Sequence, residues 1–199
     1  MEVSQSTVRG YFHIAHGTFL WRRIPACTRN LLNRVVKHPR GHLHDCGLLH
    51  ALLRISDQEA LLTHPQMGSS WEGMVAEEVL RRVKRLGEGH QYGHYRTDGG
   101  DQADLVLEGN FGLVGVEIKD KSTIGGHDLR SLKDFVDQHK GRLGVVIQKD
   151  LAPRLYHSKI VGIPSHICGP MVPKVRQFFK KCRCRKDLQK LRIPGTLRA

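Results

Sequence analysis

Apolar and polar positions alternate along this chain with two periods, about 3.6 and 2 residues, and each change of period marks a new element. Val8, Tyr11, Phe12 and Ala15 share one side of a helix over VSQSTVRGYFHIAHG, with Ser4 or Ser6 as its cap. TFLWRRIPA then reads as a strand ended by Pro25. Residues 27–65 hold a basic stretch, RNLLNRVVKHPRGHLHD, and a short apolar helix, GLLHALLRI. After HPQMG a longer helix is predicted over SSWEGMVAEEVLRRVKRLG, where Trp71, Val75, Val79, Val83 and Leu86 make one stripe and Gly87 and Gly89 close the end.

HQYGHYRT alternates as a strand, and two further strands, 102–108 and 112–119, follow as a hairpin. In GGHDLRSLKDFVDQHKG the residues Leu129, Leu132, Phe135 and Val136 form the buried stripe of a helix that Lys140 and Gly141 end. LGVVIQ is a short buried strand. The order from residue 69 to 148 is therefore helix, three strands, helix, strand, which makes the chain α/β. The opening helix and strand fit the later part of a winged helix without its first helix, so the chain reads as a piece of a longer unit. The remainder contains several prolines and a basic tail, helical in its pattern from Pro173 to Leu191.

The hairpin is the informative stretch, because Asp104, Glu117 and Lys119 interrupt strands otherwise built from Leu, Val and Ile. A turn at Gly109-Asn110, a pair that readily takes positive φ, sets Leu105 against Val114 and Ala103 against Val116. The apolar residues then share one face, and Asp104 and Glu117 become diagonal neighbours on the other, about 5 to 8 Å apart between β carbons. Lys119 lies next along, and Gly115 leaves room for an ion or a phosphate to approach. Charges on a solvated face are the plain alternative. The carboxylate pair instead suits Mg²⁺ or Mn²⁺, which keep several waters and accept phosphate oxygens as further ligands. Such an ion with a nearby lysine supplies what phosphodiester hydrolysis needs.

Composition supports an anionic partner. The 199 residues carry a formal net charge of +13, which attracts polyanions over long range and makes nucleic acid the leading partner class, with ribosomal or anionic-membrane binding behind it. DNA is the form that the nuclease reading favours. Lys174, Arg176, Lys180, Lys181, Arg183 and Arg185 concentrate that charge in the tail as candidate nucleic-acid contacts, with a solvated charge run as the alternative. No apolar run is long enough to span a membrane, and MEVSQSTVRG lacks the features of a secretory signal. A cytoplasmic protein is expected. Five cysteines without framework spacing agree with a reducing compartment.

With these residues in view, Asp104 followed by Glu117-Ile118-Lys119 resembles the PD-(D/E)xK nuclease superfamily. A wider set of segments, VSQSTVRGY, RNLLNR, VVKHPR, HDCGLLHALL, GSSWEGMVAEEV, YRTDGGDQADLVL and VEIKDKS, is similar to the domain that follows the ATPase module in many prokaryotic AAA+ proteins. That resemblance covers about residues 3–150. It implies a restriction-endonuclease-like core of helix, three-stranded antiparallel meander, helix and strand, a winged-helix remnant before it, and an AAA+ ATPase module as partner. By position it makes Asp104 and Glu117 the metal ligands, Lys119 the catalytic lysine and Glu72 an accessory acid. The chain departs from relatives in having Gln102 and Asn33-Arg34. The implied organisation is a remnant over 1–26, a helical linker over 27–67, the core over 68–172 and the tail over 173–199. The rival function is a DNA- or protein-binding module that keeps the fold without turnover.

Competing patterns are weaker. Glu72 follows Ser69 by three residues, which is also a capping box. The stretch from Gly115 to Ser122 approaches a phosphate-cradling loop, but Asp120 stands where such a loop needs glycine. His42, His44, Asp45 and Cys46 match no zinc spacing, and solvent-facing histidines and ordinary thiols are expected. Cys182 and Cys184 form a lone C-x-C, and no serine sits in a G-x-S-x-G elbow.

Overall fold

The computed structural model describes residues 3–27, 38–85, 89–96 and 102–168. The first helix, α1 (Gln5–Gly17), starts at Ser4, whose side chain accepts from the Thr7 amide. It leads into β1 (Trp21–Ile24), which pairs antiparallel with β2 (Arg40–Leu43). Two short helices, α2 (Cys46–Leu52) and α3 (Gln58–Thr63), reach the long helix α4 (Met67–Arg85). The strands β3 (His90–Arg96), β4 (Gln102–Gly109) and β5 (Gly112–Ile118) follow, then α5 (Gly126–Gln138), β6 (Leu143–Gln148), β7 (Arg154–His157) and β8 (Ile160–Pro164). A single 3₁₀ turn, Ser165–Cys168, ends the described chain.

The main sheet has six strands in the order β3-β4-β5-β6-β8-β7. The first three form an antiparallel meander, β5, β6 and β8 run parallel, and β7 returns antiparallel on the edge. At the other edge, the Cys27 amide donates to the His94 carbonyl and the His94 amide to the Pro25 carbonyl, at 2.8 and 2.9 Å. The chain leaving β1 thereby covers polar backbone groups of β3 that would otherwise be open to pairing.

Both faces of the sheet are covered. Val75, Ala76, Leu80 and Val83 of α4 pack with Leu105, Leu107, Val116 and Ile118. On the other side Leu132, Phe135 and Val136 of α5 pack near Val106, Val146 and Ile160. The expectation of one apolar face and one wet face is therefore corrected. A connection that crosses from β5 to parallel β6 brings its helix onto the sheet, and so buries the face that a free hairpin would leave to water.

The hairpin register also differs by two residues. The turn is Asn110-Phe111, with Gly109 opposite Gly112, Leu107 opposite Val114 and Leu105 opposite Val116. Gly112 takes φ +90, which a side chain strongly disfavours. A two-residue slip preserves which side chains share a face, whereas a slip of one would have inverted them. The recorded ladder ends at Leu105 opposite Val116, just short of Asp104 and Glu117.

Elsewhere β2 forms within the segment read as a helical linker, and β7 and β8 occupy a stretch left without elements. Helix α4 begins at Met67, two residues ahead of Ser69. Ser69 and Glu72 thus both lie inside the helix and form no capping box. Leu86, Gly87 and the basic tail from Pro173 lie outside the described residues.

Candidate active site

Asp104 is placed by an irregularity in the sheet. Gly93 pairs with Val106 but Tyr95 pairs with Ala103, so two residues of β4, Asp104 and Leu105, oppose one of β3, His94. Such a bulge breaks the local ladder and re-aims a side chain. The Asp104 carboxylate takes up the ladder's unused donor, accepting from the Ile118 amide through Oδ2 at 2.8 Å. Its Oδ1 faces Arg40, whose Nη1 is 3.4 Å away, and Arg40 Nη2 reaches Gln102 Oε1 at 3.4 Å.

Glu117 lies one residue before the end of β5 and is only 2% exposed. Its Oε1 is 2.7 Å from Lys119 Nζ, while its Oε2 is buried with no hydrogen-bond partner among the described residues. An ionised oxygen without a donor in such a place is costly, and a cation relieves it. Lys119 itself is fixed by its amide, which donates to the Ile147 carbonyl at 2.8 Å. Glu72, one turn into α4, stands with Asp104 and Arg40 along a cleft of about 520 Å³ and keeps an exposed surface at its rim.

The three carboxyl groups disfavour one another's ionisation. Burial, then the charge of Asp104, pushes Glu117 up to about 7. Burial likewise raises Asp104, against the opposing hydrogen bond from Ile118. Desolvation and Asp104 raise Glu72. Burial opposes the Lys119 charge, but the hydrogen bond to Glu117 and the neighbouring carboxylates raise its pKa overall. Among the described residues three carboxylates therefore face two cations, Lys119 and Arg40, and the cluster they form is short of positive charge. The four residues named from sequence, Asp104, Glu117, Lys119 and Glu72, do share one electrostatic neighbourhood.

Two expectations about this region need correction. Gly115 does not open space for a ligand, since a Cβ there would lie 2.8 Å from Phe135 and 2.9 Å from Leu132. The glycine instead lets α5 sit close on the sheet. Nor do His42 and His44 face solvent. Their Nε2 and Nδ1 atoms lie 3.0 and 2.9 Å from the Glu77 carboxylate.

Glu77 is the centre of a cluster that sequence reading missed. Arg22 grips it with Nε at 2.6 Å and Nη2 at 3.1 Å, a two-pronged contact that suits guanidinium and carboxylate. Burial would raise Glu77, but the hydrogen bonds from His42 and Arg22 outweigh it and hold the carboxyl well below the usual range. Desolvation lowers His44. The cluster fastens the β1–β2 hairpin to α4. Its one signal in sequence was the i, i+2 spacing of His42 and His44, which places both on one side of a strand.

Which residues could hold a metal follows from the donor set. Asp104 Oδ1 and Glu117 Oε2 are hard oxygens with spare acceptor capacity, suited to Mg²⁺ or Mn²⁺. Among the described residues no group of three His, Cys, Asp or Glu side chains is arranged as a complete ligand set. Two carboxylates with water and phosphate oxygens are the usual complement for Mg²⁺. Lys174, Arg176, Lys180, Lys181, Arg183 and Arg185 lie outside the described residues, as do Cys182 and Cys184. No described helix is long and apolar enough to cross a membrane.

Comparison with known proteins places the chain among relatives without naming its chemistry. The uncharacterized proteins Rv2008c of Mycobacterium tuberculosis and Mb2031c of Mycobacterium bovis are each 33% identical over 147 residues, 73% of this chain and 32% of theirs. The chain thus spans about a third of the length of these curated relatives. No solved structure matches it. Residues 1–59 match the model of the domain of unknown function DUF8612, a range that ends between the β1–β2 arm and the core. Residues 67–166, which contain α4, α5 and the whole six-stranded sheet, match the domain of unknown function DUF4143, and the chain belongs to that family.

Proposed function

We propose that the domain is a PD-(D/E)xK-type, metal-dependent nuclease acting on DNA, with α1, β1 and β2 as the helix and wing of a winged-helix remnant. The observation that carries the reading is Glu117 Oε2, buried and unpartnered among the described residues, beside Asp104 in a cluster of those residues with more carboxylates than cations. The order of helix, antiparallel meander, helix and parallel strand, with helices on both faces, supports the same fold assignment. The relatives' greater length leaves room for a further module, and an AAA+ ATPase is the partner we assign to it.

In this reading Asp104 and Glu117 would hold Mg²⁺ or Mn²⁺. When bound, the ion lowers the pKa of water and neutralises phosphate charge. Lys119, steered by Glu117 at 2.7 Å, offers N–H donors to the attacking water or to the non-bridging phosphate oxygens. Water adds to phosphorus, one P–O ester bond breaks, and the departing oxygen takes a proton. Glu72, raised and reachable from solvent, is placed to carry protons at the cleft rim.

The test is cleavage of plasmid and short duplex DNA with Mn²⁺, comparing wild type with Asp104→Asn and Glu117→Gln. Both substitutions keep side-chain shape while removing ligand charge, so both should reduce cleavage to background. Activity that survives both would place the chemistry elsewhere. The contact of Arg40 with Asp104 also suits a binding module that keeps the acidic pair without turnover. DNA binding without cleavage of any nucleic acid would select that reading.

A further inference from the structure

The acidic cleft is completed by a residue from outside the DUF4143 core. Arg40 opens β2, within the segment that matches the other family model. The strand that carries it is tied down two residues later, where His42 meets Glu77 at 3.0 Å. Side chains two apart on a strand point the same way. The contact that anchors the arm therefore also directs Arg40 toward the cleft.

What Arg40 does there follows from the lone pairs of Asp104. One carboxylate oxygen, Oδ2, is committed to the Ile118 amide at 2.8 Å. The other, Oδ1, is left to face the cleft, and Arg40 Nη1 stands 3.4 Å from it. That distance is long for a charge-assisted hydrogen bond, whose usual length is about 2.7–2.9 Å. The guanidinium is thus an electrostatic neighbour and not a tight partner. Arg22, on the paired strand β1, grips Glu77 at 2.6 Å, so the hairpin can seat an arginine closely where the site is closed. The Arg40 side chain is also 34% exposed against 8% for Asp104, so it has solvent into which to swing. Among the described residues Glu117 Oε2 remains unpartnered nearby, so Arg40 does not complete the neutralisation of the cluster they form.

We propose that Arg40 is a displaceable counter-ion, which competes with the divalent cation for Asp104 Oδ1 and is drawn off by a DNA phosphate. The inference rests on the reading of Asp104 and Glu117 as a metal site and adds its regulation. Metal and DNA then bind cooperatively, because each removes an obstacle to the other: phosphate withdraws the guanidinium from Asp104, and the cation frees the guanidinium for phosphate. Such coupling is reciprocal. It gives the arm a function beyond packing, since cation loading becomes conditional on substrate.

The experiment is a Mn²⁺ titration followed by electron paramagnetic resonance of free Mn²⁺, on the full chain, with and without a short DNA duplex. Wild type, Arg40→Gln, Arg40→Lys and Asp104→Asn are compared, with circular dichroism to confirm folding. Without DNA, Arg40→Gln should bind Mn²⁺ about tenfold more tightly than wild type, within the usual range for coupled sites. DNA should tighten Mn²⁺ binding to wild type by a similar factor and leave Arg40→Gln nearly unchanged. Arg40→Lys keeps the charge and should stay close to wild type, so it preserves the comparison of DNA effects if the glutamine variant fails to fold. Equal, Asp104-dependent Mn²⁺ affinity in wild type and Arg40→Gln would overturn the role of Arg40 while leaving the metal site intact. DNA that leaves the wild-type Mn²⁺ affinity unchanged would also overturn it. Absence of Mn²⁺ binding in every variant would remove the metal site itself, and this inference with it.

Discussion

Glu77 and Glu117 are equally hidden, each 2% exposed, yet their environments push them in opposite directions. Glu77 meets Arg22, His42 and His44 within hydrogen-bonding distance and is held strongly acidic. Among the described residues Glu117 meets one lysine, with a second carboxylate close by, and is raised to about 7. Burial is common to both, so the partners decide the outcome. A carboxylate saturated by donors is a fastening. One left short of positive charge is a place for something to bind.

The largest expected break in this comparison is in stability without divalent ions. Glu77→Gln leaves Arg22 and two histidines facing a neutral amide in a buried site. Removing one partner of a buried ion cluster should cost about 3 kcal/mol, read as a shift in urea midpoint at pH 7. Glu117→Gln removes a carboxylate from a crowded negative cluster and should cost little or even stabilise. If the two variants lost the same stability, Glu117 would be a fastening like Glu77.

The next effect lies in pH dependence. Glu117 is raised from 4.5 to about 7 in the folded chain. Its stabilising contribution is complete below the unfolded pKa and is lost as pH rises from about 4.5 through about 7. Glu77 is lowered instead, so its contribution is present above the unfolded pKa and lost as pH falls below it. Relative to wild type, Glu117→Gln should therefore gain on the order of 1–2 kcal/mol across the first window, since each pKa unit is worth about 1.4 kcal/mol and relaxation reduces the total. Saturating Mn²⁺ should flatten this wild-type dependence, as the ion supplies the missing charge. Denaturant midpoints at several pH values would show both effects.

How far these two clusters could be read from sequence differs for a physical reason. Asp104, Glu117 and Lys119 sit on one hairpin, so a local alternation argument reaches all three. Gly109-Asn110 and Asn110-Phe111 are both two-residue loops, so either turn preserves side-chain parity. The φ of +90 at Gly112 identifies the glycine that the turn needs, a role Gly109 had been given. Glu77 draws its partners from β1 and β2, which are 55 and 35 residues away, and no local period spans such gaps. Strand β2 was missed because RGHL has none of the β-branched and aromatic residues that mark a strand. Its pairing with Trp21–Ile24 and its contact with α4 stabilise it instead. Ile160–Pro164 was passed over for another reason: a five-residue apolar run ending in proline is ambiguous until its parallel partner Gly144–Gln148 is known.

The smallest effect comes from a third ion pair at the edge of the candidate site. Lys121 Nζ lies 3.0 Å from Asp128 Oδ1, but the lysine side chain is 58% exposed. Its distance resembles those around Glu77, while its setting is open to water and salt. Exposed pairs are worth about 0–1 kcal/mol, so Lys121→Ala should shift the urea midpoint by no more than about 0.5 kcal/mol. The same lysine is two residues from Lys119, and its carbonyl accepts from the Lys149 amide at 2.8 Å, which sets Lys121 and Lys149 beside each other at the ends of β5 and β6. If Lys121 contacts a DNA phosphate there, Lys121→Ala should lower the log-log salt slope of DNA affinity by about 0.9. Fluorescence anisotropy at several salt concentrations measures that slope. A loss of stability as large as that of Glu77→Gln would show that exposure does not separate these pairs. A changed slope with unchanged stability would mark Lys121 as a residue for contact with DNA and not for folding.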